Sequence, residues 1–354
     1  MKYIKRIVIL DIIAILLLSF FSSNVYASNG SYIGGIEQKN GWSGTMMVVK
    51  NDKTVYLKSF GYANYKKDKK NTNTTSYQID SIQKSLTAGL VMQQVDKKKL
   101  KLNQKLSDFY PQIEGSNKIT ILQMLEMTSG LRFDEDNESK QIMSEQDTAL
   151  YLANNTTFNS KTYKKWAYTP INYNLLAGIL MKVTHKSYSE LFTKEYIKKL
   201  KLKHTKFAYD NGKKIRVAGG YTNSDHEDKT VNYKSPFVVQ KYEYHNELGT
   251  GQVYMSVEDL YKAEKYITSG KFLTPKSRQK LYSPSQVSSY SGGFYNRKND
   301  HYANGWGYGY QGVIHLTDDS KSFAILLSNY QRDAYDLKPY VQKIFSTIIL
   351  EKEN

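Results

Sequence analysis

Apolar and β-branched residues run through 43–50 and 54–60, interrupted by Asn51, Asp52 and Lys53. Two such runs around a turn predict a β-hairpin. Near the other end, 313–316 and 323–329 are again apolar runs, joined through Asp318 and Asp319, and a helical pattern covers 334–351. Between these ends the apolar spacing turns helical, at 81–97, 121–127, 146–154, 172–184, 189–199 and 257–267. Strands at both ends and helices between them predict an α+β fold. It consists of one antiparallel sheet built from both chain ends (43–80 and 305–330) flanked by helices. A mainly helical lobe is inserted at about 98–250. Residues 43–354 are expected to form a single domain, preceded by a polar leader over 28–42.

The first residues add a targeting expectation. Lys2, Lys5 and Arg6 precede an apolar run over 7–21 and then Val25-Tyr26-Ala27. This is the layout of a secretory signal peptide ending near residue 27, and it predicts an exported protein acting outside the cell, in the wall or at the outer face of the cytoplasmic membrane. An uncleaved anchor is the alternative, although the run is short for a spanning helix. The chain has no cysteine, which excludes a lipid-modified cysteine and a disulfide framework.

Of 354 residues, 50 are Lys or Arg and 33 Asp or Glu, a formal net charge of +17. Such a chain collects on polyanions. For an exported bacterial protein these are teichoic acid phosphates and anionic lipid headgroups, not nucleic acid. The bland counterpart is a solubility charge spread over every face. The six histidines show no metal-ligand spacing, so no metal or cofactor is expected. Asp134, Glu135, Asp136 and Glu138 lack the glycine of a calcium loop and read as a solvated acidic patch.

Candidate chemistry centres on Ser81-Ile82-Gln83-Lys84, which opens the helix over 81–97. Residues three apart share a helix face, so the Lys84 amine falls beside the Ser81 hydroxyl. A serine nucleophile without a histidine needs such a base. The motif is weak alone: a serine helix cap is the plain alternative, and Ser277-Arg278-Gln279-Lys280 fits the same spacing on what reads as a surface helix.

The surroundings of Ser81 strengthen the case. Tyr77-Gln78-Ile79-Asp80 precedes the motif, and Leu106-Ser107-Asp108-Phe109-Tyr110-Pro111 and Met127-Thr128-Ser129-Gly130-Leu131 follow it. This order resembles the serine β-lactamase-related family: class C β-lactamases, penicillin-binding proteins, DD-peptidases and their esterase relatives. The resemblance runs from about residue 43 to the C-terminus. Within the family it resembles the staphylococcal FmtA-type teichoic-acid D-alanyl esterases.

The resemblance implies site roles. Tyr168 in Tyr168-Thr169-Pro170 occupies the family's Tyr-x-Asn tyrosine, a phenol that moves protons among Ser81, Lys84 and the leaving group. Pro170 stands where the family has asparagine. The family's third motif, Lys- or His-x-Gly on the strand facing the serine, is matched to Trp306-Gly307-Tyr308-Gly309. The amides of Ser81 and Gly309 are then expected to form the oxyanion hole, with Pro170, Trp306, Gly307 and Tyr308 meeting substrate.

The missing cation argues against a substrate carboxylate, which β-lactams and D-Ala-D-Ala termini carry and a D-alanyl ester lacks. The Trp306 indole can instead face an amine. Glu243 and Glu247 border the cleft in relatives and are further candidates for that amine. The implied reaction is serine hydrolysis through an acyl-enzyme on cell-wall D-alanyl groups, with teichoic acid or peptidoglycan as partner and acylation by β-lactams conceivable. A DD-carboxypeptidase, a weak β-lactamase and a catalytically impaired wall-binding protein stay open. The Gly307-x-Gly309-x-x-Gly312 spacing also fits a dinucleotide fingerprint, but it leads into a strand where that motif needs a helix.

Overall fold

The computed structural model describes residues 33, 41–223, 230–332 and 336–350. The expected signal segment, most of the polar leader and the far end of the terminal helix lie outside them. The main sheet has seven strands: β1 (Gly44–Lys50), β2 (Lys53–Phe60), β3 (Tyr290–Ser291), β4 (Phe294–Asn296), β5 (Asp300–Gly307), β6 (Tyr310–Thr317) and β7 (Phe323–Ser328). Their order across the sheet is β3-β4-β5-β6-β7-β1-β2, antiparallel throughout.

The β1–β2 hairpin closes as expected. Asn51 and Asp52 sit at φ 51° and 64°, the left-handed pair that a tight two-residue turn requires. Because β1 pairs with β7, strands from the two ends of the chain are joined side by side in the sheet. The sheet begins earlier in its C-terminal half than expected, at Tyr290 instead of 305, because Gly292 and Gly293 turn the chain tightly between β3 and β4.

Alternation along β7 assigns its two faces. Phe323, Ile325 and Leu327 enter the large core with Ile82, Leu86 and Leu260. Ala324 and Leu326 enter a smaller one with Val341, Ile344 and Phe345. Helix α5 (Lys338–Phe345) therefore covers one face, while α1 (Gln83–Asp96) and α4 (Val257–Thr268) cover the other. The helical lobe adds α2 (Glu145–Asn154) and α3 (Ile171–Thr184), which pack together, and α3 also packs onto α1.

Helix α1 is buried from Gln83 to Gln94, on all sides. An amphipathic surface helix would show one wet face; α1 is instead the axis between sheet and lobe. Pro170 caps α3 without interrupting it, as its fixed φ and missing N–H allow.

Candidate active site

Tyr77–Gln78 pairs with Val253–Met255, and Ile79 N–H donates to the Val253 carbonyl at 3.0 Å. The chain then reverses at Asp80, whose φ of 42° is left-handed. A short 3-10 turn over Asp80–Ile82 follows and runs straight into α1. Ser81 is thereby presented at the N-terminal end of a buried helix, part-exposed, while Lys84 is fully buried one turn on.

The Lys84 amine donates to Ser81 Oγ at 2.7 Å, and the Tyr168 hydroxyl donates to the same oxygen at 2.9 Å. Tyr168 is fixed from both sides. Ala167 N–H donates to the Met127 carbonyl at 2.9 Å, and the Thr169 amide contacts the Met127 sulfur at 3.3 Å. Its ring stands edge-on to Tyr290, with centroids 5.9 Å apart. Burial, with Tyr173, Tyr168 and Tyr295 around it, drives the Tyr290 phenol far above its usual range, so Tyr290 stays protonated as packing. The rival Ser277 is occupied elsewhere: its hydroxyl donates to Asp96 Oδ1 at 2.5 Å.

Ser81 opens into a cleft of about 210 Å³ lined by Tyr168, Tyr290, Gly293, Tyr295, Asn304 and Trp306. Gly293 and Gly305 let backbone close around the nucleophile. A Cβ on Gly293 would lie 2.3 Å from the Ser85 nitrogen, and one on Gly305 would lie 2.3 Å from the Ile79 carbonyl oxygen. The glycine facing the nucleophile turn is thus Gly305.

This corrects the register of the third motif. The triple on the strand facing the serine is Ala303-Asn304-Gly305, its glycine four residues before the expected Gly309, and buried Ala303 stands in the cation's place instead of Trp306. The Gly309 expectation fails for a geometric reason. Tyr308 and Gly309 form the tight turn between β5 and β6, at φ 53° and 85°, and the Gly309 N–H donates to Gln331 Oε1 at 2.9 Å.

Alternation supplies another donor. Gly307 pairs with Tyr310 across the tight turn and Gly305 with Gly312, so these residues exchange bonds with β6. Asn304 and Trp306 then aim their N–H and C=O groups away from β6. Strand β4 pairs only with His301 and Tyr302, leaving that side open toward the cleft. The strand amide placed to serve an oxyanion with Ser81 N–H is that of Trp306.

Of the other expected substrate contacts, the Trp306 side chain lines the cleft, 39% exposed. Gly307 lies over the Asp80 carboxyl, Tyr308 turns away to donate to Glu247 Oε1 at 3.1 Å, and Pro170 is exposed on the α3 cap. Tyr290, Gly293, Tyr295 and Asn304 were not anticipated. The Gly292-Gly293 pair between aromatic residues was the available signal, a hairpin signature. Nor is Glu138 part of a solvated patch: burial, then Glu247, Glu135 and Glu243, push its carboxyl up to about 7.

A family model described as Beta-lactamase matches residues 35–340. The putative penicillin-binding protein PbpX of Bacillus subtilis (strain 168) is 29% identical over 294 residues, covering 83% of this chain and 72% of that protein. A teichoic acid D-alanine hydrolase of Staphylococcus aureus is 27% identical over 286 residues, covering 79% and 69%. The crystal structure of FmtA from Staphylococcus aureus superposes with a TM-score of 0.79 at 25% identity, covering 91% of this chain and 86% of that one.

Proposed function

Since this chain belongs to the beta-lactamase family and is a serine hydrolase of that fold, we propose that it removes D-alanyl groups esterified to teichoic acid. The observation carrying this reading is the convergence of the Lys84 and Tyr168 donors on Ser81 Oγ, at 2.7 and 2.9 Å, in a cleft whose motif cation is replaced by Ala303. An ester without a carboxylate needs no such cation. The similarity to a teichoic acid D-alanine hydrolase supports the same acyl group.

In this mechanism Ser81 Oγ attacks the ester carbonyl as its proton passes to the Lys84 amine. The amides of Ser81 and Trp306 hold the oxyanion. The C–O bond to the polymer breaks as Tyr168 protonates the departing alkoxide, and the phenol is restored from Lys84. Water then attacks the D-alanyl–Ser81 ester along the reverse proton path, releasing D-alanine and free Ser81.

The +17 charge would concentrate the enzyme on the phosphate backbone. The segment over 1–27 would place it outside the cell, where that polymer is. The test is release of D-alanine from purified D-alanylated teichoic acid by residues 28–354, wild type beside Ser81→Ala. Release lost in the variant supports the reading; none from the folded wild type overturns it.

The similarity to PbpX favours a second reading, a DD-carboxypeptidase of the penicillin-binding type. Labelling by a fluorescent penicillin that vanishes in Ser81→Ala would select it.

A further inference from the structure

Beside the tip of β5, next to Trp306, carboxyl groups gather from segments far apart in sequence. Glu247 acts electrostatically on both Asp80 and Glu138, and Glu243 acts on Glu138. Tyr308 lies among them, donating to Glu247 Oε1, its phenol kept protonated by burial, Glu247, Glu138 and Asp80. The chain carries 50 Lys and Arg, yet among the described residues no ion pair involves Asp80, Glu138, Glu243 or Glu247. Lys84 stands near Asp80 but directs its amine at Ser81.

Asp80 supplies an independent observation. It is 4% exposed, left-handed at φ 42°, and neither carboxyl oxygen has a hydrogen-bond partner. The amide of neighbouring Gln78 lies close enough to lower the Asp80 carboxyl, and donates to the Gly251 carbonyl at 2.8 Å. A buried polar group left unpartnered is costly, and an arriving donor recovers that cost. Gly307 keeps the approach open: a Cβ there would meet nothing nearer than the Asp80 carboxyl, at 3.8 Å.

We propose that Asp80, Glu138 and Glu247, with Glu243 behind them, form a subsite for the protonated amine of the acyl group. The inference rests on the D-alanyl ester reading and adds a selectivity to it. The subsite favours esters of free amino acids over N-acylated substrates such as peptide termini and β-lactams. An acyl group on Ser81 carries its α-amine one carbon beyond the carbonyl, next to Trp306. A free ammonium there enters the field of Glu247 and can draw the proton off Asp80, whose carboxyl is otherwise held well above its usual range by burial and by Glu247; an acylated nitrogen brings no charge.

The test uses a ligand that is not turned over. D-Alaninol carries the ammonium without a carbonyl or carboxylate, and N-acetyl-D-alaninol is its uncharged control. Binding of each to Ser81→Ala protein is measured by calorimetry or ligand-observed NMR. D-Alaninol is expected to bind at least about tenfold more tightly than the control. Glu247→Gln and Glu138→Gln, each added to that background, should weaken D-alaninol about five- to tenfold and leave the control unchanged. Glu138→Gln matters because it leaves the Tyr308–Glu247 bond intact, so a loss there is not a loss of that contact. Equal binding of the two ligands, or a D-alaninol affinity that ignores both substitutions, overturns the proposal. Absence of Ser81-dependent D-alanine release would instead strike the ester reading and leave the D-alaninol result standing.

Discussion

Glu264→Gln should remove a fall in stability that the wild type shows between pH 4.5 and 8. Glu264 lies on α4, 0% exposed, against Ser85 of α1. The single Ser85 hydroxyl contacts both Glu264 Oε1 and the Ile82 carbonyl, the latter at 2.8 Å. One proton cannot serve both, so the arrangement is satisfied when the carboxyl is protonated and donates to Ser85 Oγ while Ser85 donates to Ile82. The other carboxyl oxygen is buried without a partner, as suits a neutral acid and not an anion. Burial accordingly pushes Glu264 up to about 8 from its ordinary 4.5, against the lowering effect of the Ser85 bond.

The folded pKa is raised, so the native state holds a proton that the unfolded chain has released between pH 4.5 and 8. Stability therefore falls as pH rises through that window, by up to about 1.4 kcal/mol per unit, and levels off above it. From pH 5 to pH 8 the Glu264 contribution declines by roughly 3 kcal/mol. Glutamine is neutral throughout and can donate its amide to Ser85 Oγ. Urea unfolding of wild type and Glu264→Gln at pH 5, 6, 7 and 8 should show the variant gaining roughly 3 kcal/mol on the wild type across the series, since other titrations cancel in the difference. A difference that does not change with pH would refute the assignment of a neutral buried acid.

Three further outcomes are expected of the site. Tyr168→Phe keeps the edge contact with Tyr290 but removes the hydroxyl on Ser81 Oγ, so kcat should fall by about 10²- to 10⁴-fold with little change in KM; steady-state rates within about threefold of wild type would remove Tyr168 from the proton path. Gln331→Ala releases the Gly309 amide and should leave kcat within about twofold, whereas a large change would return Gly309 to the oxyanion question. Gly305→Ala sets a methyl 2.3 Å from the Ile79 oxygen and should destabilise by about 1–3 kcal/mol in urea unfolding, with loss of most activity as the nucleophile turn shifts; an unaffected variant would mean that β5 does not press on that turn.

The parts of the site readable in the sequence are those set by local spacing. Ser81 and Lys84 meet because three residues make nearly one helical turn, and Pro170 marks the start of α3 because its ring suits a first turn. The Asn51-Asp52 hairpin is readable for the same reason, since these residues tolerate positive φ. The register of β5 was not readable in this way. Glycines at 305, 307, 309 and 312 offer several equivalent alignments, and only packing against Ile79 singles out Gly305. Glu138 follows an exposed acidic run, and nothing local distinguishes it from Asp134 or Asp136; it becomes special through Glu247, more than a hundred residues away.

On the proposed function, the two charge patterns of the chain answer to one amphoteric substrate. A D-alanylated teichoic acid is anionic along its phosphates and cationic at each D-alanyl amine. A uniformly basic enzyme would gather the polymer but repel the group it must cleave. At an effective dielectric near 20, a cation 4 Å from the ammonium costs about 4 kcal/mol, enough to undo a weak encounter. The proposed carboxyl subsite would remove that conflict without reducing attraction at longer range. Added salt should then act on the two steps differently. It should weaken capture of whole polymer steeply, through screening over a Debye length of about 10 Å at 0.1 M. Turnover of a small D-alanyl ester, recognised only in the partly enclosed cleft, should change much less. Equal salt sensitivity for polymer and small ester would show that the basic surface and the acidic cleft do not divide the work in this way.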